Sequence, residues 1–331
     1  MAPAPLTLPE GLTARPIHPD DVPAVIELLA AAEAVDDTGA HQSAEDLTGL
    51  WVNDLVDLEQ DSRLVTTADG EVVGYATAIA PPTFRDAYGV HLEGRVHPQW
   101  RGRGIGRALL AWQLERGTQV HAQRHPEARA RLTVTAYTSM GDLTALLRRA
   151  GLVEARWFFH MSRRLTDLPE PRAVDGVQLV PFSWDRDEEV RRAHNTSFTE
   201  HYGSSERDVA SWRVMFTGQR AFRPDLSVLA VEDGAVLAYV LAYVYEGNTA
   251  ALGEQETYFG QIGVLPQARG RGLSTATIVE ALRVAADHDC QLAGLQVDSD
   301  NVTGALGVYQ RLGFTTGHTE VSWSRHLSPL A

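Results

Sequence analysis

The chain is written twice, and that duplication constrains its fold more than any other feature. "PQWRGRGIGRALLAWQL" (Pro98–Leu114) and "PQARGRGLSTATIVEAL" (Pro266–Leu282) each crowd arginine and glycine against the start of an apolar helical pattern, with Arg269 lying 168 residues after Arg101. "TADGEVVGYATAIA" and "VEDGAVLAYVLAYV" each set Asp-Gly between apolar, β-branched runs, a strong hairpin signal, and Asp233 follows Asp69 by 164 residues. "LLRRAGLVEARWFF" and "VYQRLGFTTGHTEV" each close a helical pattern in glycine, with Gly313 coming 162 residues after Gly151. Three independent features sharing nearly one offset require a fold built twice. The length of 331 residues also suits two domains of about 150 residues each. "RLTDLPEPRAVDG", rich in Pro, Asp and Gly, reads as the connection. The expected division is therefore domain 1–166, linker 167–176 and domain 177–331.

Within each copy the same order recurs. A strand precedes one or two helices ("DDVPAVIELLAAAEA"; "DRDEEVRRAHNTSF"), then come a hairpin, a strand ending in Val-x-Pro, the arginine-glycine turn and a long helix. A further strand, a helix and a last strand close the unit. Strands that first pair as hairpins and later flank helices predict an α/β class of the α+β kind: a mixed, mostly antiparallel sheet flanked by helices, in tandem.

Composition removes several functions. The formal net charge of −14 opposes general binding to nucleic acid, whose phosphates would repel the protein. All 29 basic residues are arginine, which excludes a Schiff-base lysine and a Walker phosphate loop. Cys290 is the only cysteine, so neither an intramolecular disulfide nor a cysteine zinc site is available, and no metal is expected. The start lacks the basic and apolar regions of a leader, and no stretch is long enough to span a bilayer. The expectation is a cytoplasmic protein, monomer or homodimer, with no membrane partner. His121 and His125 in "HAQRH" have metal-like spacing but no fixed partner, and they read as a solvated helix end.

The arginine-glycine turns have a chemical explanation. The first amides of a helix lack internal partners and point outward, with the positive end of the helix dipole behind them. A glycine-rich entry lets a phosphate approach closely, and arginines on the same turn add charge-assisted bonds. In both copies a strand leads into such a turn and then an apolar helix, so each reads as a pyrophosphate cradle. A dinucleotide fingerprint is the competing motif, but Gly102-x-Gly104-x-Gly106 has the wrong spacing for it.

Arg101-x-x-Gly104-x-Gly106 and Arg269-x-x-Gly272-x-Ser274 resemble the Arg/Gln-x-x-Gly-x-Gly/Ala signature of the GNAT superfamily of acyl-CoA-dependent N-acyltransferases. "DSDNVTGALGVYQRLGF" (Asp298–Phe314) is similar to that family's other segment, an Asn after a strand and a Tyr just before Leu-Gly-Phe. The resemblance spans nearly the whole chain as two units, a layout shared with mycothiol synthase and related tandem acetyltransferases. Ser274 departs from the family's Gly or Ala, yet is small enough to fit and adds a donor. The resemblance implies acetyl-CoA as co-substrate and a small-molecule amine as acceptor. Cofactor contacts are expected along Ile262, Gly263, Val264, Arg269, Gly270, Arg271, Gly272, Leu273, Ser274, Thr275 and Asn301. In the first copy they fall on Val96, Arg101, Gly102, Arg103, Gly104, Ile105, Gly106 and Arg107.

Amide formation needs a neutral amine, while an alkyl ammonium with a pKa near 10 leaves only about one molecule in a thousand neutral at pH 7. A base on the amine and an acid at the departing sulfur both help. Tyr309 sits where the family places its general acid, and Leu147 holds the matching position of the first copy. Leucine has no proton to give, so catalysis is expected in the C-terminal copy. Glu256 is the favoured base, with Glu254 beside it on the acceptor side and Glu93 as the corresponding acid of the first copy. His201 and Tyr202, in the segment matching the family's flap, are the other acceptor candidates. The competing reading is a non-catalytic acyl-CoA sensor, against which Tyr309 and the Asp-Asn segment speak.

Overall fold

The computed structural model describes residues 6–53, 56–199, 201, 204–300 and 304–330. In the first half the elements run β1 (Leu12–Arg15), α1 (Val22–Asp36), α2 (Ala44–Trp51), α3 (Leu58–Asp61), β2 (Ser62–Thr67), β3 (Val72–Ile79), β4 (Tyr88–Val96), α4 (Ile105–Arg124), β5 (Ala130–Tyr137), α5 (Gly141–Arg149) and β6 (Val153–Arg164). The second half repeats the theme with β7 (Gln178–Pro181), α6 (Asp187–Ser197), α7 (Val209–Trp212), β8 (Val228–Glu232), β9 (Ala235–Tyr243), α8 (Glu246–Leu252), β10 (Glu256–Val264), α9 (Leu273–Asp287), β11 (Leu292–Asp298), α10 (Ala305–Arg311) and β12 (Thr315–Leu327). The mixed sheet flanked by helices is the expected class.

By contacts the chain forms two compact units, residues 1–157 with 320–331, and residues 158–319. The contiguous division at 167–176 differs from this at both ends. In the first unit the strand order is β1-β2-β3-β4-β5-β12, and β12 pairs antiparallel with β5 from Glu320↔Tyr137 to Leu327↔Ala130. In the second the order is β6-β11-β10-β9-β8-β7, and β6 pairs antiparallel with β11 from Arg164↔Leu292 to Phe158↔Asp298. Each unit thus takes its last strand from the other half of the sequence.

The Asp-Gly hairpins form where expected. Gly70 has φ +91°, and Asp233 and Gly234 have φ +49° and +81°, the left-handed backbone a tight turn requires. In the first unit, α1 and α2 cover one sheet face through Val25, Leu28, Leu47 and Trp51 against Leu64 and Tyr75. Leu110, Leu114 and Leu147 of α4 and α5 cover the other against Val90, Leu132 and Trp323. In the second unit, Val190 and Trp212 pack on Tyr239, Leu241 and Tyr243, while Ile278, Leu282 and Tyr309 pack on Val240, Phe259, Leu295 and Phe314.

One irregularity is common to both units. β4 and β5 pair in parallel only from Tyr88↔Ala130 to His91↔Thr133, although β4 continues to Val96 on its β3 side. β10 and β11 pair only from Glu256↔Leu292 to Phe259↔Leu295, although β10 continues to Val264 on its β9 side. The two central strands part halfway along, leaving the second half of one edge open.

Candidate functional site

The open edge of β10 leads directly into the arginine-glycine turn. Gly270 and Gly272 have φ +79° and +84°, a backbone that side-chain-bearing residues adopt only with strain. No side chain caps α9, so its first amides remain available to an anion. Arg269, Gly270, Arg271, Gly272 and Thr275 are exposed, Ser274 is half-buried, and Leu273 is buried as the helix's anchor. Ile262 and Val264 are half-buried on the open edge and Gly263 is buried.

The arginines do something the sequence did not predict. Both guanidinium nitrogens of Arg271 reach the Glu232 carboxylate, the longer contact at 2.9 Å. Arg269 donates to the Ser197 carbonyl at the end of α6 at 3.5 Å. In the first unit Arg101 holds Asp36 at the end of α1 by two bonds of 2.6 and 2.8 Å. Arg103 lies 4.5 Å over the Trp100 ring. The first arginine of each signature therefore ties the turn to the unit's first long helix.

The first unit carries the matching groove. A cavity of about 860 Å³ is lined by Leu92, Gly94, Val96, Arg101–Gly104, Gly106, Arg107 and residues 139–143. Gly102 and Gly104 have φ +76° and +92°, α4 has no side-chain cap, and Ile105 is buried. Leu147 is fully buried at the position corresponding to Tyr309.

Glu256 and Tyr309 lie on opposite faces of the second sheet. A Cβ built on Gly294 would fall 2.5 Å from Glu256 Oε1, so the carboxylate covers that glycine. Gly294 alternates with Ala293 and Leu295, which face the Tyr309 core; Glu256 is therefore on the other side. Asn248 donates to its Oε2 at 3.4 Å. Burial pushes the carboxyl above its ordinary range, while the Asn248 bond and nearby His160 pull it back. Tyr309 is 7% exposed, edge-on to Phe314 with centroids 6.1 Å apart. Burial raises its phenol pKa. Among the described residues its hydroxyl has no hydrogen-bond partner.

The remaining candidates have the following surroundings, and the expectations for Glu93 and His121 are corrected. Glu254 is held by Arg164 through bonds of 2.9 and 3.1 Å. Glu93 is not the counterpart of Glu256: it faces Thr77 as Gln261 faces Leu241, and it accepts from Tyr75 at 2.9 Å. His201 stacks on Phe198 with centroids 4.3 Å apart. His121 is fully buried, not solvated, and its Nε2 pairs with the Ala128 carbonyl at 2.8 Å. Tyr202 and Asn301 lie outside the described residues.

Sequence reasoning missed the tyrosines of β9. The Tyr239 hydroxyl pairs with His194 Nδ1 at 3.0 Å, and desolvation pushes the His194 imidazole down to about 3, keeping it neutral. The Tyr243 hydroxyl donates to Gln261 Oε1 at 2.6 Å. Both rings lie across β10 where glycines make room, since a Cβ on Gly263 would meet Tyr239 at 2.4 Å and one on Gly260 would meet Tyr243 at 2.7 Å. The signal was present as "AYVLAY" opposite "FGQIGV", two tyrosines at strand spacing facing two glycines.

Comparison with known proteins agrees with this geometry. Residues 188–314 match the acetyltransferase (GNAT) family model, and residues 59–141 match an acetyltransferase (GNAT) domain. The mycothiol acetyltransferase of Amycolatopsis mediterranei is 34% identical, covering 80% of this chain and 84% of that protein. That of Nocardia farcinica is 31% identical, covering 91% and 93%. The chain belongs to the GNAT acetyltransferase family. It is an N-acyltransferase, of the group that uses acyl-CoA and acts on amine or small-molecule acceptors. A GCN5-related N-acetyltransferase from Sphaerobacter thermophilus superposes with a TM-score of 0.79 at 27% identity, over 98% of both chains. A tandem GNAT protein from the clavulanic acid biosynthesis pathway superposes at 0.71 with 22% identity, over 95% of this chain and 98% of its own. That second likeness is one of fold. Among the described residues no helix is long and apolar enough to cross a membrane.

Proposed function

We propose that the C-terminal half transfers an acetyl group from acetyl-CoA directly to a primary amine of a small molecule. The observation that carries this reading is the parting of β10 from β11 after Phe259, which opens a strand edge running straight into an exposed, uncapped helix N-terminus. An extended pantetheine arm pairs with such an edge as an added strand would, and the diphosphate meets the amides of Leu273, Ser274 and Thr275. The sulfur then reaches the apex of the split, because the sheet closes there.

Glu256 and Tyr309 flank that apex from opposite faces. Glu256 takes a proton from the acceptor ammonium, directly or through water. The neutral nitrogen forms its bond to the thioester carbon, the nitrogen of the tetrahedral adduct loses its second proton to solvent, and the adduct collapses as the carbon–sulfur bond breaks. Tyr309 gives its proton to the leaving sulfur. A raised carboxyl pKa suits this base, since it moves the proton affinity of Glu256 toward neutrality. The N-terminal half keeps the groove but has Leu147 in place of an acid, so it holds an acyl-CoA without turnover. His201, and Tyr202 and Asn301 outside the described residues, keep their roles as acceptor and pantetheine contacts within this proposal.

Several mycothiol acetyltransferases at about one-third identity over most of the chain favour one acceptor class, an amino-sugar or cysteinyl conjugate with a free amine. Thiol release from acetyl-CoA, followed with such a conjugate and with a panel of simple amines, tests both levels. Release with simple amines only would reject the conjugate; release with none would reject amine acetylation.

A further inference from the structure

We infer that Tyr243 is an acyl-length gauge that confines the C-terminal site to acetyl and propionyl donors. This rests on the reading of that half as an acyltransferase.

The argument begins at the bulge. The register of β10 on β9 shifts between Phe259 and Gln261, leaving Gly260 as the extra residue at the apex where β10 parts from β11. An acyl group carried on the sulfur there can extend only across the strand, toward one sheet face or the other. The α9–α10 face is closed by Phe259, Leu295, Phe314 and Tyr309 itself. The opposite face, where Glu256 lies and the amine must approach, is crossed at Gly260 by the Tyr243 ring. A Cβ on Gly260 would lie 2.7 Å from Tyr243 Cε2 and 3.0 Å from Cδ2, so the ring rests directly on the backbone of the apex.

The ring is not free to swing aside. Tyr243 is 2% exposed, and its hydroxyl is anchored on Gln261 at 2.6 Å. Phe222 packs against it with centroids 5.6 Å apart, and Tyr245 stacks at 6.2 Å with planes within 9°. Its backbone is bridged to Phe222, and Val244 next to it donates to the Ala221 carbonyl at 2.8 Å. Protein interiors this well packed yield little without cost.

The first unit supplies an internal comparison. Tyr243 is paired with Tyr258 as β10 begins its run along β9, and Ile79 holds the matching place opposite His91. The half that keeps Tyr309 thus carries an aromatic ring where the first unit has Ile.

The test is a chain-length series of acyl-CoA donors (acetyl, propionyl, hexanoyl) with the full chain and an amine that accepts acetyl. The wild type is expected to lose at least tenfold in kcat/KM between propionyl and hexanoyl. Tyr243→Ala is expected to raise the hexanoyl-to-acetyl ratio at least tenfold. Tyr243→Phe keeps the ring and should keep the wild-type ratio, which separates volume from the Gln261 bond. Equal wild-type rates with hexanoyl and acetyl would overturn the gauge whether or not the alanine variant folds; so would an unchanged ratio in a folded Tyr243→Ala. A failure to release thiol from acetyl-CoA with any amine would instead strike the underlying acyltransferase assignment.

Discussion

Tyr309→Phe removes one oxygen and leaves the ring. The ring is 7% exposed and packs edge-on to Phe314, and Phe preserves that contact. The hydroxyl has no hydrogen-bond partner among the described residues, so its loss strands no donor or acceptor. The change in stability should therefore stay within about 1 kcal/mol. Loss of the proton donor at the sulfur should lower kcat by about 10²-fold, equivalent to about 2.7 kcal/mol in the barrier. A large loss of rate beside a small change in stability makes the substitution diagnostic. KM for acetyl-CoA should hardly move, because the phenol acts on a thiolate that exists only as the bond breaks. The assay is thiol release at saturating donor and amine, run beside a thermal melt. A kcat within about twofold of wild type would refute the assignment, as would a loss of rate that tracks a lowered Tm.

Glu256→Gln should lower kcat and abolish its acid limb. In the wild type that limb lies above the ordinary carboxyl range, since burial raises this pKa, and activity falls as pH drops through it. The folded pKa is raised, so the carboxyl's contribution to stability is present at low pH and lost as pH rises; Glu256→Gln should therefore gain Tm at pH 8 and not at pH 4, and the reverse pattern would contradict the burial argument. Gly263→Ala drives a methyl into the Tyr239 ring, which His194 holds in place, and should cost about 1–3 kcal/mol in denaturant unfolding; wild-type stability would show that the ring yields. Arg116→Ala leaves Asp61 buried, with the 2.7 Å Arg116 bond gone and Arg124 at 3.6 Å as partial compensation. A loss near the lower end of about 3–5 kcal/mol is expected, and a loss below 1 kcal/mol would mean that Arg124 substitutes for it.

Much of this was legible in the residues. Asp-Gly pairs between apolar runs and glycine-arginine turns before helices are local signals, and both recur at fixed offsets, so the duplicated sheet and both glycine turns at helix starts followed from the sequence. The exchange of β6 and β12 did not. "VEARWFFHMSRR" and "TTGHTEVSWSRHL" carry the same period-two alternation, and nothing local says whether a strand pairs with its own copy or the other. The bulge at Gly260 was hidden for the same reason, because an extra residue leaves composition unchanged while shifting every later side chain across the sheet. The arginines were misjudged because a charge beside a phosphate cradle looks alike whether it serves the ligand or, as with Arg101 on Asp36 and Arg271 on Glu232, holds the turn in place.

The central claim is that each half presents an open strand edge and an uncapped helix start to a nucleotide tail. Calorimetric titration of the full chain with CoA tests it most directly. Two equivalents should bind, and Gly104→Val and Gly272→Val, each forcing a side chain into φ near +90° or +84°, should remove one apiece. Absence of binding in the wild type, or two undiminished sites in the double variant, would contradict the account.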